Sequence, residues 1–308
     1  MKYSIILPVY NESENIQQLY ERISKVMSKF KSSYETIFVN DGSTDRTVEK
    51  LEALHKKDSA VKIINFSRNF GHQTAVSAGL KYCSGEMVAI LDADLQDPPE
   101  ILPEFFQKLE SGYDTVYAIR KNRKETAWKK FAYSSYYRIL KALANVDIPL
   151  DSGDFCVMSR RMIDAINSLP ERNRFVRGLR SWVGFKQTGL AYNRDARNAG
   201  ESKYTMSKLF KLASDGIFSF SYVPLQGITW IGFLGILFSL IGSIWAGYQK
   251  FFTHNYNAVP GFATTVILIM FIGGLQLFSL GVVGEYMRRM YDEIKARPQY
   301  IIDSTIGF

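Results

Sequence analysis

The sequence contains little cysteine or histidine and lacks the short motifs of several common enzyme classes. Two cysteines and three histidines occur among 308 residues, and Cys83 and Cys156 form no CxxC pair. No GxGxxG turn, GxxxxGKS/T phosphate loop or HExxH helix is present. These absences argue against dinucleotide-dependent dehydrogenases, P-loop ATPases and zinc hydrolases. Two isolated cysteines suit a reducing compartment.

Charge is absent from two long stretches in the C-terminal part of the chain. Residues 225–247 and residues 261–284 contain no Asp, Glu, Lys or Arg. Each stretch is long enough to cross about 30 Å of hydrocarbon as a helix, and a buried core helix of that length without a polar face would be unusual. We therefore predict two transmembrane helices. Because the N-terminus turns polar early, we expect no signal peptide.

Basic residues lie on the outer sides of these two stretches. The segment between them, residues 248–260, holds a single lysine. The outer flanks carry Lys203, Lys208, Lys211, Arg288, Arg289, Lys295 and Arg297. The positive-inside rule then places both termini, including a tail over 285–308, on the cytoplasmic side of the inner (plasma) membrane. Residues 203–224 are basic, aromatic and amphipathic, which predicts a juxtamembrane helix along the membrane surface.

Small residues recur at every fourth position of the first apolar stretch, at Gly235, Ser239, Ser243 and Gly247. Such a face allows helices to approach closely, within one chain or between chains. Homo-oligomerisation through the transmembrane helices is therefore a hypothesis, which a mass measurement in mild detergent tests.

The N-terminal part of the chain alternates strand and helix patterns. Apolar segments of strand length occur at residues 3–10, 35–41, 60–67, 86–94 and 113–120, and helical patterns follow the first four. In the first helical pattern, Asn11 is predicted as the N-cap, with Glu14 three residues later. Repeated β–α units with continuous apolar strands predict an α/β domain, over 1–202, with a mostly parallel sheet covered on both faces. Polar clusters follow these strands, at the sheet edge where ligands bind in such folds.

The fourth strand ends in crowded negative charge. Asp92, Asp94 and Asp97 fall within six residues and precede Pro98 and Pro99. Carboxylates at that spacing repel and raise one another's pKa. A strand-end turn is one explanation, since Asp and Pro are ordinary turn residues. The alternative is a divalent cation, Mg²⁺ or Mn²⁺, which prefers hard oxygen ligands and would carry a bound diphosphate.

Three segments together resemble a known family: SIILPVYNE at 4–12, VNDGSTD at 39–45 and LDADLQDPP at 91–99. In this order and spacing they are similar to family 2 glycosyltransferases of the GT-A fold. Among these, the chain looks most like polyprenyl-phosphate glycosyltransferases, namely dolichol-phosphate mannose synthases and bacterial bactoprenol glucosyltransferases. The resemblance extends through RNAGESKY at 197–204.

The resemblance implies roles for individual residues. The nucleotide sugar would contact Pro8, Tyr10, Glu12, Asp41, Gly42, Ser43, Asp92, Arg197 and Lys203, with Ser202 in the same closing loop as the last two. The metal would be held by Asp92, Asp94 and Gln96, and the acceptor phosphate by Arg120, Lys130 and Ser134. Asp94, Asp154 and Arg120 are the predicted catalytic residues. For Asp41 an Asx-turn role stays open, as does helix capping for His72, while Asp97 with Pro98 and Pro99 is expected to shape the start of the next helix.

The resemblance also implies a reaction. A hexose would pass with inversion to undecaprenyl phosphate at the cytoplasmic membrane face. UDP-glucose, GDP-mannose and UDP-linked aminosugars all fit the motifs, and the resemblance to bacterial enzymes with two spans favours glucose. A GDP-mannose-dependent mannose synthase is the alternative, and no nucleic-acid partner is expected. A processive polysaccharide synthase would carry a QxxRW motif, of which only the RSW around Trp182 is present. A non-catalytic membrane-anchored nucleotide-sugar sensor would predict loss of the metal carboxylates, and both are present.

Overall fold

A computed structural model describes residues 1–121, 152–172, 174–193, 221, 223–252 and 261–308. The chain divides into two compact units. The first contains the N-terminal part of the chain and also residues 297–308. The described residues of the second are 221, 223–252 and 261–296. The first unit therefore includes segments from both ends of the chain.

The described elements of the first unit are strands β1 to β8 and helices α1 to α6. Their bounds are β1 Tyr3–Val9, α1 Ile16–Met27, β2 Tyr34–Asn40, α2 Thr47–Lys57, β3 Val61–Phe66, α3 His72–Tyr82, β4 Met87–Ile90, a 3₁₀ turn Pro99–Ile101, α4 Leu102–Glu110, β5 Thr115–Lys121, β6 Ser152–Ser159, α5 Arg160–Ser168, α6 Val176–Val183, β7 Gln187–Asn193 and β8 Ile302–Ile306.

The strands form one eight-stranded sheet in the order β7-β5-β6-β4-β1-β2-β3-β8. Strand β1 pairs in parallel with β2 and β4, and β2 pairs in parallel with β3. Strand β5 is parallel to β7, whereas β6 runs antiparallel to both β4 and β5, and β8 antiparallel to β3. The mostly parallel α/β class predicted for this domain is confirmed.

Helices cover both faces of the sheet, because the central strands are apolar on both. In β1, Ile5 belongs to one core cluster and Ile6 to the other, since successive side chains point to opposite faces. Helices α1, α2 and α4 contribute to the cluster of Ile5, and α3 and α5 to that of Ile6. Because β1 to β4 run parallel to one another, their carboxyl ends meet at one edge of the sheet.

The predicted start of the first helix is wrong. Helix α1 begins at Ile16 after Asn15, and neither Asn11 nor Glu14 caps it. Asn11 adopts a left-handed conformation with φ of +54°, and its Oδ1 accepts a hydrogen bond from the backbone N–H of Thr44. Asn tolerates this conformation better than most residues. In this conformation the Asn11 side chain binds the neighbouring loop and does not cap the helix.

Strand β8 was not predicted from the sequence. Residues 302–306 follow both apolar stretches in the chain, yet they pair with β3 at the edge of the first unit's sheet. The segment predicted simply as a tail therefore contains part of the α/β domain. A five-residue strand with exposed side chains carries little of the apolar pattern on which strand prediction depends.

The described part of the second unit consists of two long helices, α7 (Val223–Phe252) and α8 (Gly261–Lys295). Both contain segments long and apolar enough to cross a membrane, Val223–Gly242 and Leu268–Lys295. Their large apolar side chains are exposed, with 72% exposure at Phe238 and Met270. The predicted juxtamembrane helix over 203–224 lies almost entirely outside the described residues.

A buried carboxylate joins three segments of the first unit. Glu35 in β2 is fully buried, and its Oε1 accepts hydrogen bonds from Ser4 Oγ, Ser84 N and Ser84 Oγ at 2.6–2.8 Å. Its Oε2 lies 2.7 Å from the ammonium of Lys62. Burial alone would raise the pKa of Glu35, but the ammonium and these hydrogen bonds outweigh burial and lower it.

We predict that Glu35→Gln lowers the free energy of unfolding by about 3 kcal/mol, because the ammonium loses its buried partner. Glu110→Gln breaks an exposed ion pair with Lys2 and should change the free energy of unfolding little. Since the folded pKa lies below the unfolded one, this stabilisation is complete above the unfolded pKa and is lost as pH falls through the folded pKa. Denaturant titrations of the wild type and both variants across acidic pH measure the free energy of unfolding. Equal losses of this free energy in the two variants would contradict the prediction.

Candidate active site

Two loops at the carboxyl edge of the sheet are joined by hydrogen bonds. The loop after β1 donates the N–H of Asn11 to Ser43 Oγ at 2.9 Å and the N–H of Glu12 to Thr47 Oγ1 at 3.1 Å. In return, Thr44 N donates to Asn11 Oδ1 at 2.8 Å. The predicted nucleotide-sugar residues of the two loops therefore lie side by side.

Asp41 and Gly42 attach a third loop to this edge. The buried Asp41 carboxylate accepts hydrogen bonds from the backbone N–H groups of Phe70, at 2.6 Å, and Gly71, at 2.9 Å. Burial raises the pKa of Asp41, although both N–H groups oppose the rise. Gly42 has φ of +68°, and a Cβ there would lie 2.4 Å from the carbonyl carbon of Arg68. Only glycine suits this contact.

The remaining predicted nucleotide-sugar residues of the first loop differ in exposure. Pro8 is buried within β1, whereas Tyr10 is 39% exposed at the edge. Glu12 is half-buried, and its Oε2 accepts a hydrogen bond from Asn15 Nδ2 at 2.7 Å. Contacts of these residues and of Asp41 with a nucleotide stay predictions.

In the segment after β4, side chains are alternately buried in the core and half-buried. Asp92, Asp94 and Gln96 are half-buried, whereas the residues between them are buried. The backbone N–H of Gln96 donates to Asp94 Oδ1 at 3.2 Å, and Leu95 adopts a left-handed conformation with φ of +61°. The three predicted metal ligands therefore share the accessible side of this segment.

Of the residues expected to shape the following helix start, Pro99 opens the 3₁₀ turn, whereas Asp97 does not cap it. Asp97 is fully buried, and its Oδ1 accepts a hydrogen bond from the hydroxyl of Tyr192 in β7. The 3₁₀ turn that follows has no side-chain cap. The hydrogen bond instead fixes the segment after β4 to the distant strand β7.

A histidine, two aspartates and an arginine meet beside these carboxylates. His72 Nε2 lies 3.4 Å from Asp154 Oδ2 and 3.6 Å from Asp92 Oδ1. Arg177 binds Asp154 through two hydrogen bonds, Nε to Oδ1 at 2.7 Å and Nη2 to Oδ2 at 3.0 Å. His72 opens α3 without capping it, so the capping role considered from the sequence is wrong. It bridges Asp92 and Asp154.

Charge is distributed unevenly among these groups. The His72 side chain keeps 41% of its surface exposed, and partial loss of solvation disfavours its charged form. The hydrogen bond to Asp154 and the charge of Asp92 outweigh this and raise the pKa of His72 to about 9. Burial also opposes ionisation of Asp154, yet Arg177 and His72 hold the pKa of that carboxyl well below its usual range. Burial raises the pKa of Asp92 to about 6, because His72 only partly offsets burial and the neighbouring carboxylates.

The crowding of carboxylates around Asp92, which His72 offsets only in part, fits a divalent cation. Within the described residues, no three His, Cys, Asp or Glu side chains are placed to hold a metal together. Mg²⁺ typically takes one or two protein carboxylates and completes its coordination with water and substrate phosphates. The oxygen donors of Asp92, Asp94 and Gln96 suit that kind of site, in which the diphosphate of a substrate supplies the other ligands.

Several predicted residues cannot be compared with this geometry. Arg120 in β5 pairs through its backbone with Tyr192 in β7. The side chain of Arg120 is not among those that the structure describes. Lys130, Ser134, Arg197, Ser202 and Lys203 also lie outside the described residues. Their roles stay predictions.

Sequence analysis missed Arg177 and Tyr192. Each binds an aspartate that was singled out, but from 23 and 95 residues away in the chain. The available signal was indirect, since a half-buried carboxylate such as Asp154 requires a cationic or hydrogen-bonding partner. Several arginines near α6 met that requirement equally well in the sequence.

Comparisons with known proteins give consistent matches. Residues 4–166 match the family described as glycosyl transferase family 2. The chain is 46% identical over 312 residues to the uncharacterized glycosyltransferase YkcC of Bacillus subtilis, covering 100% of this chain and 95% of that one. It is 38% identical over 306 residues to the SfII prophage-derived bactoprenol glucosyl transferase of Shigella flexneri, covering 99% and 98%. Among solved structures, S. aureus TarS 1-349 with UDP-GlcNAc has a TM-score of 0.49 at 19% identity, covering 71% and 66%.

Proposed function

The chain belongs to glycosyl transferase family 2, and from this premise we propose that it transfers glucose from UDP-glucose to undecaprenyl phosphate with inversion. The observation that carries the proposal is the placement of Asp92 and Asp94 at the carboxyl edge of the sheet, beside the fixed Asp154 and the two joined loops. Full-length similarity to a bactoprenol glucosyl transferase supports the lipid acceptor.

The chain's own residues would bind the donor from two sides. The joined loops after β1 and β2 offer Tyr10, Glu12 and the Asp41 to Ser43 turn to the nucleotide. Asp92, Asp94 and Gln96 would hold a Mg²⁺ or Mn²⁺ ion, which when bound supplies positive charge for the departing diphosphate. Because both loops are fixed by hydrogen bonds before a ligand arrives, little reorganisation would accompany donor binding.

Asp154 suits orientation better than proton abstraction. Its pKa is held well below the usual range by Arg177 and His72, so it is ionised at neutral pH and a weak base. A phosphate monoester acceptor has a second pKa of about 6 and is already mostly dianionic near neutral pH. It therefore needs little base assistance. A carboxylate fixed by a bidentate arginine would instead hold a sugar hydroxyl in place for the displacement.

The path of the chain is compatible with two membrane crossings. The sheet contains strands that precede α7 and a strand that follows α8. If these apolar helices cross a membrane, the chain must return to the side from which it left, which two crossings achieve. We propose that both termini and the sheet lie on the cytoplasmic side, where nucleotide sugars are available. Homo-oligomerisation through the helices stays a prediction.

Donor identity is tested separately from transfer to the lipid. GDP-mannose is the second candidate, because the resemblance includes mannose synthases as well. Incubating the detergent-solubilised full chain with undecaprenyl phosphate and UDP-glucose, GDP-mannose or UDP-linked aminosugars separates these donors. Product with GDP-mannose alone would replace glucose by mannose. Nucleotide-sugar binding without product from any of them would favour the non-catalytic sensor.

The acceptor residues give a separate prediction. Arg120→Ala and Lys130→Ala should each raise the KM for undecaprenyl phosphate by about tenfold, because each removes a charge-assisted contact to the phosphate. The KM for the nucleotide sugar should change little. Steady-state kinetics with each substrate varied in turn measures both constants. If only the nucleotide-sugar KM rises, these residues belong to the donor site.

A further inference from the structure

A row of polar side chains crosses the carboxyl edge of the sheet from β2 to β8. Asn40, Asn65 and Ser304 occupy facing positions in β2, β3 and β8. Asn40 Nδ2 donates to Asn65 Oδ1 at 3.0 Å, and Asn65 Nδ2 donates to Ser304 Oγ at 3.0 Å. Both asparagines are buried, whereas Ser304 is exposed. The row links the last strand of the chain to the second.

The direction of these hydrogen bonds is fixed at one end. The backbone N–H of Ser43 donates to Asn40 Oδ1 at 3.0 Å, and a backbone N–H can only donate. Asn40 must therefore turn its oxygen toward Ser43 and its amide group toward Asn65. Asn65 in turn must present its oxygen to Asn40 and its amide group to Ser304. One defined arrangement of both amides thus connects β8 to the turn that carries Ser43.

A second connection runs from the same C-terminal segment to the same turn. Ser67 N donates to the carbonyl of Ile301 at 3.0 Å, and Tyr300 stacks on Phe66 with ring centroids 4.9 Å apart. These contacts hold the beginning of the loop after β3. Further along, that loop donates two backbone N–H groups to Asp41. Both Asp41 and Ser43 are therefore fixed by contacts that reach the C-terminal segment.

We propose that β8 positions the nucleotide pocket, with Ser304 and Asn65 as positioning residues for donor binding. This inference rests on the proposed function, because the pocket is the one formed by the Asp41 to Ser43 turn. Since β8 follows α7 and α8 in the chain, the pocket is complete only when the segment after both apolar helices has paired with β3. Donor binding is thereby coupled to correct placement of the chain's last strand.

The effect should appear in donor affinity. Without the Ser304 hydroxyl, the Asn65 amide group can hydrogen-bond only to water at that position. The turn at Ser43, which is connected to Asn65 through Asn40, then loses one restraint. The loss of one hydrogen bond of this kind should raise the dissociation constant for the nucleotide sugar roughly three- to tenfold. Asn65→Ala also removes the partner of the buried Asn40, so it should raise this constant further. The acceptor KM and the maximal rate should stay unchanged.

The test uses the full chain in detergent with UDP-glucose as the probe. Calorimetry measures its dissociation constant for Ser304→Ala and Asn65→Ala, and thermal unfolding checks that each variant is folded. Thr305→Ala removes a hydroxyl from the next, likewise exposed, residue of β8 and is the matched control. Ser304→Thr keeps the hydroxyl. We expect weaker binding in the first two variants and wild-type binding in the last two.

Hydrogen exchange separates this inference from the proposed function. Ser304→Ala should accelerate exchange of the amides of residues 41–46, whereas Thr305→Ala should not. Equal binding and equal exchange in the two variants would overturn the positioning role. If the wild-type chain binds no nucleotide sugar, the proposed function fails. The exchange comparison still decides whether β8 fixes this turn.

Discussion

Replacing Asp94 by asparagine is expected to lower the rate of sugar transfer by at least about a hundredfold while the protein stays folded. The charge that develops on the departing diphosphate needs a fixed positive partner, and loss of one such interaction costs about two to three orders of magnitude. Asp94 lies on the accessible side of the segment after β4, so its replacement leaves the packed side unchanged. Chelation by EDTA should produce a loss of the same kind in the wild-type chain.

A neighbouring carboxylate provides the control for this substitution. Glu100 lies a few residues further along and is exposed, where it pairs with Arg22 at 2.6–2.8 Å. Glu100→Gln removes one negative charge from the same region and should leave turnover nearly unchanged. Initial rates at saturating substrates, with thermal unfolding of each variant, provide the comparison. Full activity of Asp94→Asn, or of the wild type in EDTA, would show that sugar transfer needs no metal.

Arg177→Ala should have the second-largest effect, a loss of roughly a hundredfold in kcat with a smaller change in the donor KM. The guanidinium holds both oxygens of Asp154, and without it His72 is the one cationic neighbour that the described side chains leave to that carboxylate. Arg177→Lys retains the charge but not the two-pronged geometry, so it should recover only part of the activity. Arg161→Ala removes an exposed arginine that stacks on Phe185 and should change kcat little.

A double-substitution cycle decides whether Arg177 acts through Asp154. If it does, Arg177→Ala combined with Asp154→Asn should be no slower than Asp154→Asn alone, because residues that act as a unit are not additive. Multiplicative losses would mean that Arg177 touches the substrate directly. Unfolding of all three variants by denaturant shows whether any loss reflects stability instead.

The sheet could be predicted from the sequence because its central strands are buried on both faces. Strands β1 to β4 are continuous apolar runs separated by helical patterns, and that alternation is local information. The segment after β4 could be identified too, since its carboxylates are crowded within a few residues. The two apolar helices followed from the absence of charge alone.

Contacts between distant segments could not be predicted in the same way. Asp154 and Arg177 lie in a strand and a helix whose distance depends on how both pack against α3. Asn11 was predicted as a helix cap from its position three residues before Glu14. Its actual partner, Thr44, belongs to a loop that only the parallel pairing of β1 and β2 brings near, so this contact could not be read from the sequence. Strand β8 is short and exposed, so its pairing depends on an edge that exists only after β3 is in place.

Formation of a lipid-linked sugar tests the central claim most directly. The purified full chain is incubated with radiolabelled UDP-glucose, undecaprenyl phosphate and Mg²⁺ or Mn²⁺ in detergent, and the label is followed into the organic phase. We expect a labelled product with one sugar on each lipid phosphate, release of UDP in equal amount, and product formation at least about a hundredfold slower with Asp94→Asn. Label that enters a polymer, or UDP-glucose that is bound and never transferred to the lipid, would contradict it.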